Sequence, residues 1–288
     1  MRVYWKNMVS AFGFSVIAAL LAVSPACAKK VQTGFLDRTI AVAGTEYKYQ
    51  VFVPDNWTSK EKWPVILFLH GAGERGDDGL AQTEVGIGRA IRIDRSRFTA
   101  IVVMPQCRKD MWWTQSPMDD VAMGALAQAQ KEFHGDPQRL YLTGLSMGGY
   151  GTWYLAGKHP GKFAALAPIC GGILMPEKAR TQSPGDNSLY VEAAKKIGND
   201  TSVWIFHGGA DDTVPVTESQ RMADAMKTVM RQQAVYTESH PVIVAVPEVI
   251  YTEYPGVGHN SWDKAYAEHD LIRWLLSKFL LKKGELLL

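Results

Sequence analysis

The sequence predicts an α/β protein built on a mostly parallel, doubly wound sheet that is preceded by an antiparallel hairpin. Residues 34–53 alternate apolar and polar side chains on either side of Gly44, which is typical of a hairpin at a sheet edge. From Trp63 onward, short apolar runs without alternation indicate strands covered on both faces, as in a parallel sheet. Segments with helical spacing separate these runs, and right-handed crossovers then wind the sheet on both sides.

The individual elements follow from these patterns. Six apolar runs are the predicted core strands: residues 65–69, 100–104, 140–142, 164–169, 203–206 and 249–254. Four segments carry apolar residues at helical spacing and are the predicted helices: residues 118–133, 147–158, 216–230 and 263–281. The longest polar connection, residues 171–202, is too short for a large helical lid.

The first 28 residues have the pattern of a signal peptide. Arg2 and Lys6 precede an apolar run that ends before Ala26-Cys27-Ala28, a small-residue cleavage motif. A membrane anchor and lipidation at Cys27 are the alternatives. Cleavage after Ala28 predicts a secreted or periplasmic protein with one domain, residues 29–288, and no stable membrane association.

Composition limits the classes of function. Removing residues 1–28, which contain two basic and no acidic residues, leaves 260 residues and lowers the formal net charge from +2 to 0. A neutral domain has no electrostatic reason to bind nucleic acid. Cys107 and Cys170 would end strands separated by two others, beyond bridging distance, so we predict two free, buried thiols.

The stretch around Ser146 predicts a nucleophile. Gly144-Leu145-Ser146-Met147-Gly148 fits G-x-S-x-G between a strand and a helix, where glycines two residues on either side permit a sharp turn. The turn would expose the Ser146 hydroxyl and place the N–H of Met147 where an oxyanion could bind. The alternative is a glycine-rich turn with an idle serine.

An acid and a base follow two later strands in the order Ser, Asp, His that this nucleophile motif uses. Asp211 follows the strand at 203–206, and His259 follows the strand at 249–254 in a glycine-loosened loop. Asp212 is the alternative acid, and either could instead cap a helix. The remaining histidines are predicted to be structural or on the surface: His70, His134, His159, His207, His240 and His269.

The glycine-rich loop at 70–76 predicts a second oxyanion donor, the N–H of Ala72, because such a donor comes from the loop after this strand. The competing interpretation is a phosphate-binding loop. No Lys-Ser or Lys-Thr pair follows the glycines, so we do not expect nucleotide binding.

Four motifs together resemble the α/β-hydrolase superfamily, specifically its dienelactone-hydrolase-like and phospholipase/carboxylesterase-like branch of exported esterases and predicted peptidases. They are HGAGERG, TGLSMGGYGTW, HGGADDTVP and GVGHNSW. The resemblance implies an α/β-hydrolase fold without a large lid, a triad of Ser146, Asp211 and His259, and an oxyanion hole at Ala72 and Met147. We expect no cofactor and no metal.

These residues predict a serine esterase whose substrate is a small-molecule or carbohydrate ester. Trp112, Trp113 and Trp262 follow strand ends, and such aromatic side chains suit a sugar ring or a phenolic acyl group, with plain packing as the alternative. We predict substrate contacts at Trp113 and Trp262 and acetyl or feruloyl esters as substrates. A peptidase with the same triad and a catalytically silent binding module are the rival predictions.

Overall fold

The computed structural model describes residues 1–2, 32–181, 183, 185–198, 200–237 and 247–280. A compact unit, Gln32–Leu288, contains every helix and strand described below. The other unit, Met1–Val31, is described only at its first two residues, so the predicted signal peptide and Cys27 lie outside the described residues. Among the helices that the structure describes, none has both the length and the apolar character that crossing a bilayer requires.

The eight strands found among the described residues form one sheet in the order β1-β2-β4-β3-β5-β6-β7-β8. The strands are β1 Gly34–Val42, β2 Thr45–Val53, β3 Trp63–Leu69, β4 Ile101–Pro105, β5 Gly135–Leu145, β6 Ala165–Ile169, β7 Ser202–Gly208 and β8 Val249–Tyr254. Strands β1 and β2 form an antiparallel hairpin, and β2 also pairs antiparallel with β4. All pairs among strands β3 to β8 are parallel. The predicted sheet class and the N-terminal hairpin are confirmed.

In the part of the chain that the structure describes, eight α-helices connect and cover these strands. They are α1 Gly86–Ile93, α2 Met118–Glu132, α3 Met147–Lys158, α4 Pro176–Thr181, α5 Ser188–Ile197, α6 Thr217–Thr237, α7 Trp262–Ala267 and α8 His269–Leu276. The long predicted C-terminal helix is two helices, because the backbone of Glu268 leaves the helical region. Segment 171–202, predicted as a polar connection, contains α4 and α5.

The sheet separates two apolar cores. Alternate residues of β2, including Tyr47 and Val51, face one core together with α2 and α3, whereas Phe52 faces the other core with α1 and α8. The free thiols Cys107 and Cys170 are both buried. Strands β3 and β5 lie between the strands that these cysteines follow, as predicted.

Candidate active site

Ser146 lies on a strained turn between β5 and α3. Its backbone has φ 53° and ψ −118°, a left-handed region that costs a residue with a side chain about 1–3 kcal/mol. The N–H of Ser146 donates to the carbonyl of Ile169 at 2.9 Å, which ties the turn to the end of β6. The hydroxyl therefore stands above the carboxyl edge of the sheet.

The two glycines of the motif are required by close packing. A Cβ at Gly148 would lie 1.9 Å from the carbonyl oxygen of Leu69, and one at Gly144 would lie 2.3 Å from the carbonyl oxygen of Gly148. Any side chain at these positions would force α3 away from β3. The glycines thus let the turn press against the loop that follows β3.

The structure brings Ser146, His259 and Asp211 together. The Ser146 hydroxyl lies 2.8 Å from Nε2 of His259, and Nδ1 of His259 lies 2.8 Å from Oδ2 of Asp211. The carbonyls of Val257 and Tyr254 accept the N–H groups of Ala210 and Gly209, so the Asp211 and His259 loops are bonded together. Asp212 is exposed, and its carboxylate accepts from Thr213 instead.

The Asp211 carboxylate has no exposed surface, and donors surround it. Its Oδ1 accepts the N–H groups of Thr213 and Val214, while Oδ2 accepts from His259 and, at 3.1 Å, from Nε2 of His207. Burial acts to raise the pKa of Asp211, but the hydrogen bonds from His207, His259 and Val214 outweigh it and hold the pKa well below its usual range. Asp211 is therefore ionised beside His259.

His207 is a site residue that the sequence analysis placed among structural histidines. It is fully buried at the end of β7, and its Nε2 faces two acceptors, Oδ2 of Asp211 and the carbonyl of Val214. Nε2 must therefore carry a proton and donate it. Nδ1 pairs with the Ser219 hydroxyl at 2.7 Å, which fixes the ring. Its position shortly before Asp211, in a tight turn, is the only signal that the sequence offered.

A second buried histidine shapes the loop after β3. Nε2 of His70 accepts the N–H of Cys107 at 2.9 Å, so Nδ1 carries the proton and donates it to the carbonyl of Gly71 at 2.6 Å. The ring is neutral, and complete burial lowers its pKa to about 4. His70 joins the loop after β3 to the segment after β4.

The predicted oxyanion donors lie at two adjacent turns. Met147 begins α3, and Ala72 begins a short 3₁₀ turn, Ala72–Glu74, directly after β3. Neither N–H takes part in the hydrogen bonds of the described residues, as expected for amides at a helix start. Both amides are thus without an acceptor among the described residues, and the oxyanion hole stays a prediction.

The three tryptophans near the site differ in exposure. Trp262 is partly exposed, and its ring meets that of His259 edge to face with centroids 5.4 Å apart. Trp113 is fully buried behind the loop, where its N–H donates to the carbonyl of His70. Its neighbour Trp112 is partly exposed and lines a cavity, so the ring available to a substrate is that of Trp112.

One set of potential metal ligands occurs in the described part of the chain. Cys170, Asp211 and His259 place a ligand atom each within 4.8 Å of the others. Burial raises the pKa of the Cys170 thiol to about 12, and the other two groups are bonded to each other. The thiol is therefore protonated, and Asp211 and His259 already satisfy each other.

The family model named Esterase matches residues 40–267, which is more than half of the chain. The chain belongs to the Esterase family. A curated relative in this comparison, the "Probable feruloyl esterase C" of Aspergillus terreus, is 24% identical over 161 residues, or 56% of this chain. The match covers 58% of the length of that relative.

Solved structures share the fold. A thermostable esterase superposes with a TM-score of 0.67 at 30% identity, covering 85% of this chain and 63% of its own. The acylaminoacyl peptidase of Pyrococcus horikoshii superposes with a TM-score of 0.59 at 18% identity, covering 89% of this chain and 43% of its own. The predicted α/β-hydrolase fold is confirmed.

His70 makes stability depend on pH. The unfolded histidine takes up a proton near pH 6.5, but the folded one does so only near pH 4, so the unfolded state binds more protons between these values. The free energy of unfolding should therefore fall as the pH drops from about 6.5 to about 4. Urea titrations at pH 7 and 4.5 should show wild type losing roughly 2 kcal/mol more than His70→Gln. Equal losses in the two proteins would contradict this role.

His207→Ala should lower kcat by roughly tenfold and leave KM unchanged, because Asp211 loses one donor and holds His259 less firmly. His207→Gln offers a side-chain N–H and should recover most of that loss. Steady-state kinetics on a nitrophenyl ester, with a thermal melt to verify folding, measures both variants. A rise in KM alone, or no benefit from glutamine, would argue against a positioning role.

Proposed function

We propose that this chain is an exported serine esterase that cleaves carboxylic esters through Ser146, His259 and Asp211. The observation that carries the proposal is the continuous chain of hydrogen bonds from the Ser146 hydroxyl through His259 to a buried, ionised Asp211. Membership of the Esterase family supports the choice of an ester as the bond that is cleaved.

The geometry suits acyl transfer. Nε2 of His259 takes the proton of Ser146 while Oγ attacks the ester carbonyl, and Asp211 stabilises the imidazolium that forms. The N–H groups of Ala72 and Met147 hold the negative oxygen of the tetrahedral intermediate. His259 then gives its proton to the departing alcohol, which leaves an acyl group on Ser146.

Hydrolysis of the acyl-enzyme completes the cycle. A water molecule gives a proton to Nε2 of His259 and attacks the acyl carbonyl, again with the oxyanion at the two amides. The Ser146 oxygen leaves with the proton returned by His259, and the carboxylic acid is released. The strained backbone of Ser146 keeps its oxygen in the same place in both halves of the reaction.

We propose short-acyl or carbohydrate-linked esters, acetyl or feruloyl, as the substrate class. The fungal relative named as a feruloyl esterase and the partly exposed rings of Trp112 and Trp262 support this choice. The fold is similar to that of an acylaminoacyl peptidase, so short peptides are the rival substrate class. A binding module without catalysis is the second rival.

Ser146→Ala should lower kcat for 4-nitrophenyl acetate by about 10⁶-fold, because the nucleophile is lost. Ser96→Ala, which removes an exposed hydroxyl that bonds Asp94, is the matched control and should retain wild-type activity. The rate on the 4-nitroanilide of an acetylated amino acid, compared with the rate on the ester, distinguishes a peptidase from an esterase. An ester rate that survives in Ser146→Ala would overturn the triad, and faster anilide than ester hydrolysis would favour the rival.

Export is part of the proposal and rests on the pattern of residues 1–28. The mature protein should begin at Lys29, and its intact mass, measured on protein recovered outside the cytoplasm, tests this. Protein that retains residues 1–28 or carries a lipid on Cys27 would favour the anchor or the lipoprotein instead.

A further inference from the structure

An arginine without a carboxylate partner among the described residues lies beside the candidate active site. Arg75 belongs to the loop after β3 that also carries Ala72. Its Nε lies 3.2 Å from Sδ of Met147, the residue that directly follows Ser146. Arg75 therefore connects the two turns that carry the predicted oxyanion donors.

Most arginines in the described part of the chain have an oxygen atom as acceptor. Several form ion pairs with carboxylates, as Arg139 does with Asp136 at 2.9 Å. Arg180 donates to two backbone carbonyls. Arg75 has one acceptor within the described residues, the thioether sulfur of Met147, and such a sulfur accepts only weakly. The N–H groups on its two Nη atoms therefore have no protein acceptor there.

The acidic side chains of the same loop are directed elsewhere. Oε2 of Glu74 is buried and lies 4.0 Å from Nδ1 of His70. Asp77 pairs with Arg108 at 3.1 Å. The carboxylate of Asp78 accepts the backbone N–H groups two and three residues further along the chain. The loop itself therefore leaves the positive charge of the guanidinium uncompensated.

The backbone on both sides of Arg75 is fixed. The carbonyl of Glu74 accepts Nε2 of Gln106 at 3.1 Å, and the N–H of Gly76 donates to the carbonyl of Cys107 at 2.9 Å. These two hydrogen bonds join the loop to the segment after β4. The arginine thus starts from a defined position, which lowers the entropic cost of binding a group with it.

An aromatic ring supports the side chain of Arg75. The guanidinium carbon lies 5.4 Å from the centroid of the Trp112 ring, and both side chains are partly exposed. The Trp112 ring in turn meets the ring of Tyr150 on α3 edge to face, with centroids 6.1 Å apart. A guanidinium that lies over an aromatic face keeps the N–H donors at its edge for an acceptor.

The donors of Arg75 indicate the chemical group that it would bind. The edge of a guanidinium presents parallel N–H groups that match the two oxygens of a carboxylate or a phosphate. A phosphate monoester carries about two negative charges near neutral pH, whereas a carboxylate carries one. One arginine compensates one charge, so a carboxylate is the better match.

The spacing within the loop limits where this carboxylate lies on the substrate. Ala72–Glu74 is a 3₁₀ turn, so the backbone of Arg75 lies about 6 Å beyond that of Ala72. The side chain of Arg75 then reaches Met147, the other residue of the predicted oxyanion hole. A carboxylate at the guanidinium is therefore a few atoms away from a carbonyl that is held at these two amides.

We propose that Arg75 binds a carboxylate of the substrate, and that the preferred esters carry this negative charge within a few atoms of the ester carbonyl. The proposal rests on the esterase function above and adds the charge of the substrate to it. A short dicarboxylic acyl group has such a carboxylate on the acyl side of the ester. An acidic alcohol has it on the other side.

Two matched pairs of esters test the proposal and distinguish the two sides. Monoethyl succinate is compared with ethyl butyrate, which has the same number of acyl carbons and no charge. The acetate ester 4-acetoxybenzoate is compared with its own methyl ester, in which the charge on the alcohol side is removed. Released acid is measured by chromatography for all four esters.

The variants change the charge at one position. Arg75→Gln removes the charge, and Arg75→Lys keeps the charge without the paired donors. Lys131→Gln is the matched control, because it removes one exposed positive charge in the last turn of α2. That position precedes the start of β5, whereas Ser146 follows its end, so the control lies at the opposite edge of the sheet.

The ratio of kcat/KM for the charged ester to that for the neutral ester should fall at least about tenfold in Arg75→Gln for one of the two pairs. The loss should arise mainly in KM, because a charge-assisted hydrogen bond to the substrate is removed. A ratio taken within each protein cancels any effect of the substitution on the chemistry at Ser146. Arg75→Lys should retain part of the wild-type ratio, and Lys131→Gln should retain all of it.

Salt gives a second readout of the same interaction. Sodium chloride at about 0.5 M should lower the ratio more in wild type than in Arg75→Gln, since it screens an exposed charge pair. Equal ratios in wild type and Arg75→Gln for both pairs would overturn the assignment of Arg75. Cleavage of the neutral esters in that case would leave the esterase function standing.

A binding measurement separates the two proposals when no ester is cleaved. Each of the four esters is titrated into the Ser146→Ala protein by isothermal titration calorimetry. Tighter binding of the charged member of a pair, lost when Arg75→Gln is added to Ser146→Ala, supports the carboxylate site even in a chain without esterase activity. Equal or undetectable binding within both pairs, or a preference that Arg75→Gln leaves unchanged, overturns it.

Discussion

The carboxylate of Asp211 is the interaction on which the candidate site depends. A buried charge is costly unless donors satisfy it, and Asp211 has two backbone N–H groups on one oxygen and two imidazoles on the other. Those donors come from its own loop, the end of β7 and the loop after β8. Satisfying one charge therefore fixes the relative position of three segments, and Nε2 of His259 points at Ser146 as a result.

Close packing of backbone atoms maintains the strained conformation of Ser146. Left-handed backbone at a serine persists only where the surroundings determine it, and here Gly148 lies against the carbonyl of Leu69 while Ile169 accepts the N–H of Ser146. The buried parallel strands β3 and β6 supply those carbonyls on either side of β5. The packing of these strands, rather than any contact of the serine side chain, keeps the Ser146 turn in place.

The sequence predicted the parts of the fold that depend on local pattern. Apolar runs without alternation placed β3, β4, β6, β7 and β8 within two residues at each end, and Met147–Lys158 and Val249–Tyr254 have the predicted bounds. The strand predicted at 140–142 is the longer β5, Gly135–Leu145, whose first residues are polar. Chain order after strands selected Ser146, Asp211 and His259, which the structure brings within hydrogen-bond distance. Helices α4 and α5 were missed because their polar sequence is stabilised by tertiary contacts, above all Tyr190 to Glu218. No local sequence pattern indicates the tertiary roles of His207 and Glu218. The same holds for the burial of Trp113 rather than Trp112.

Two buried acids, Asp211 and Glu218, hold different parts of the edge of the sheet. Asp211 fixes the reacting groups, and its partners come from loops that directly follow β7 and β8. Glu218 fixes the segment after β6, and its partners are the backbone of that segment and α5. No donor is shared between the two carboxylates, but Arg180 of α4 donates to the carbonyls of Asp212 and Thr213. The segment after β6 is therefore bonded to the loop that carries Asp211.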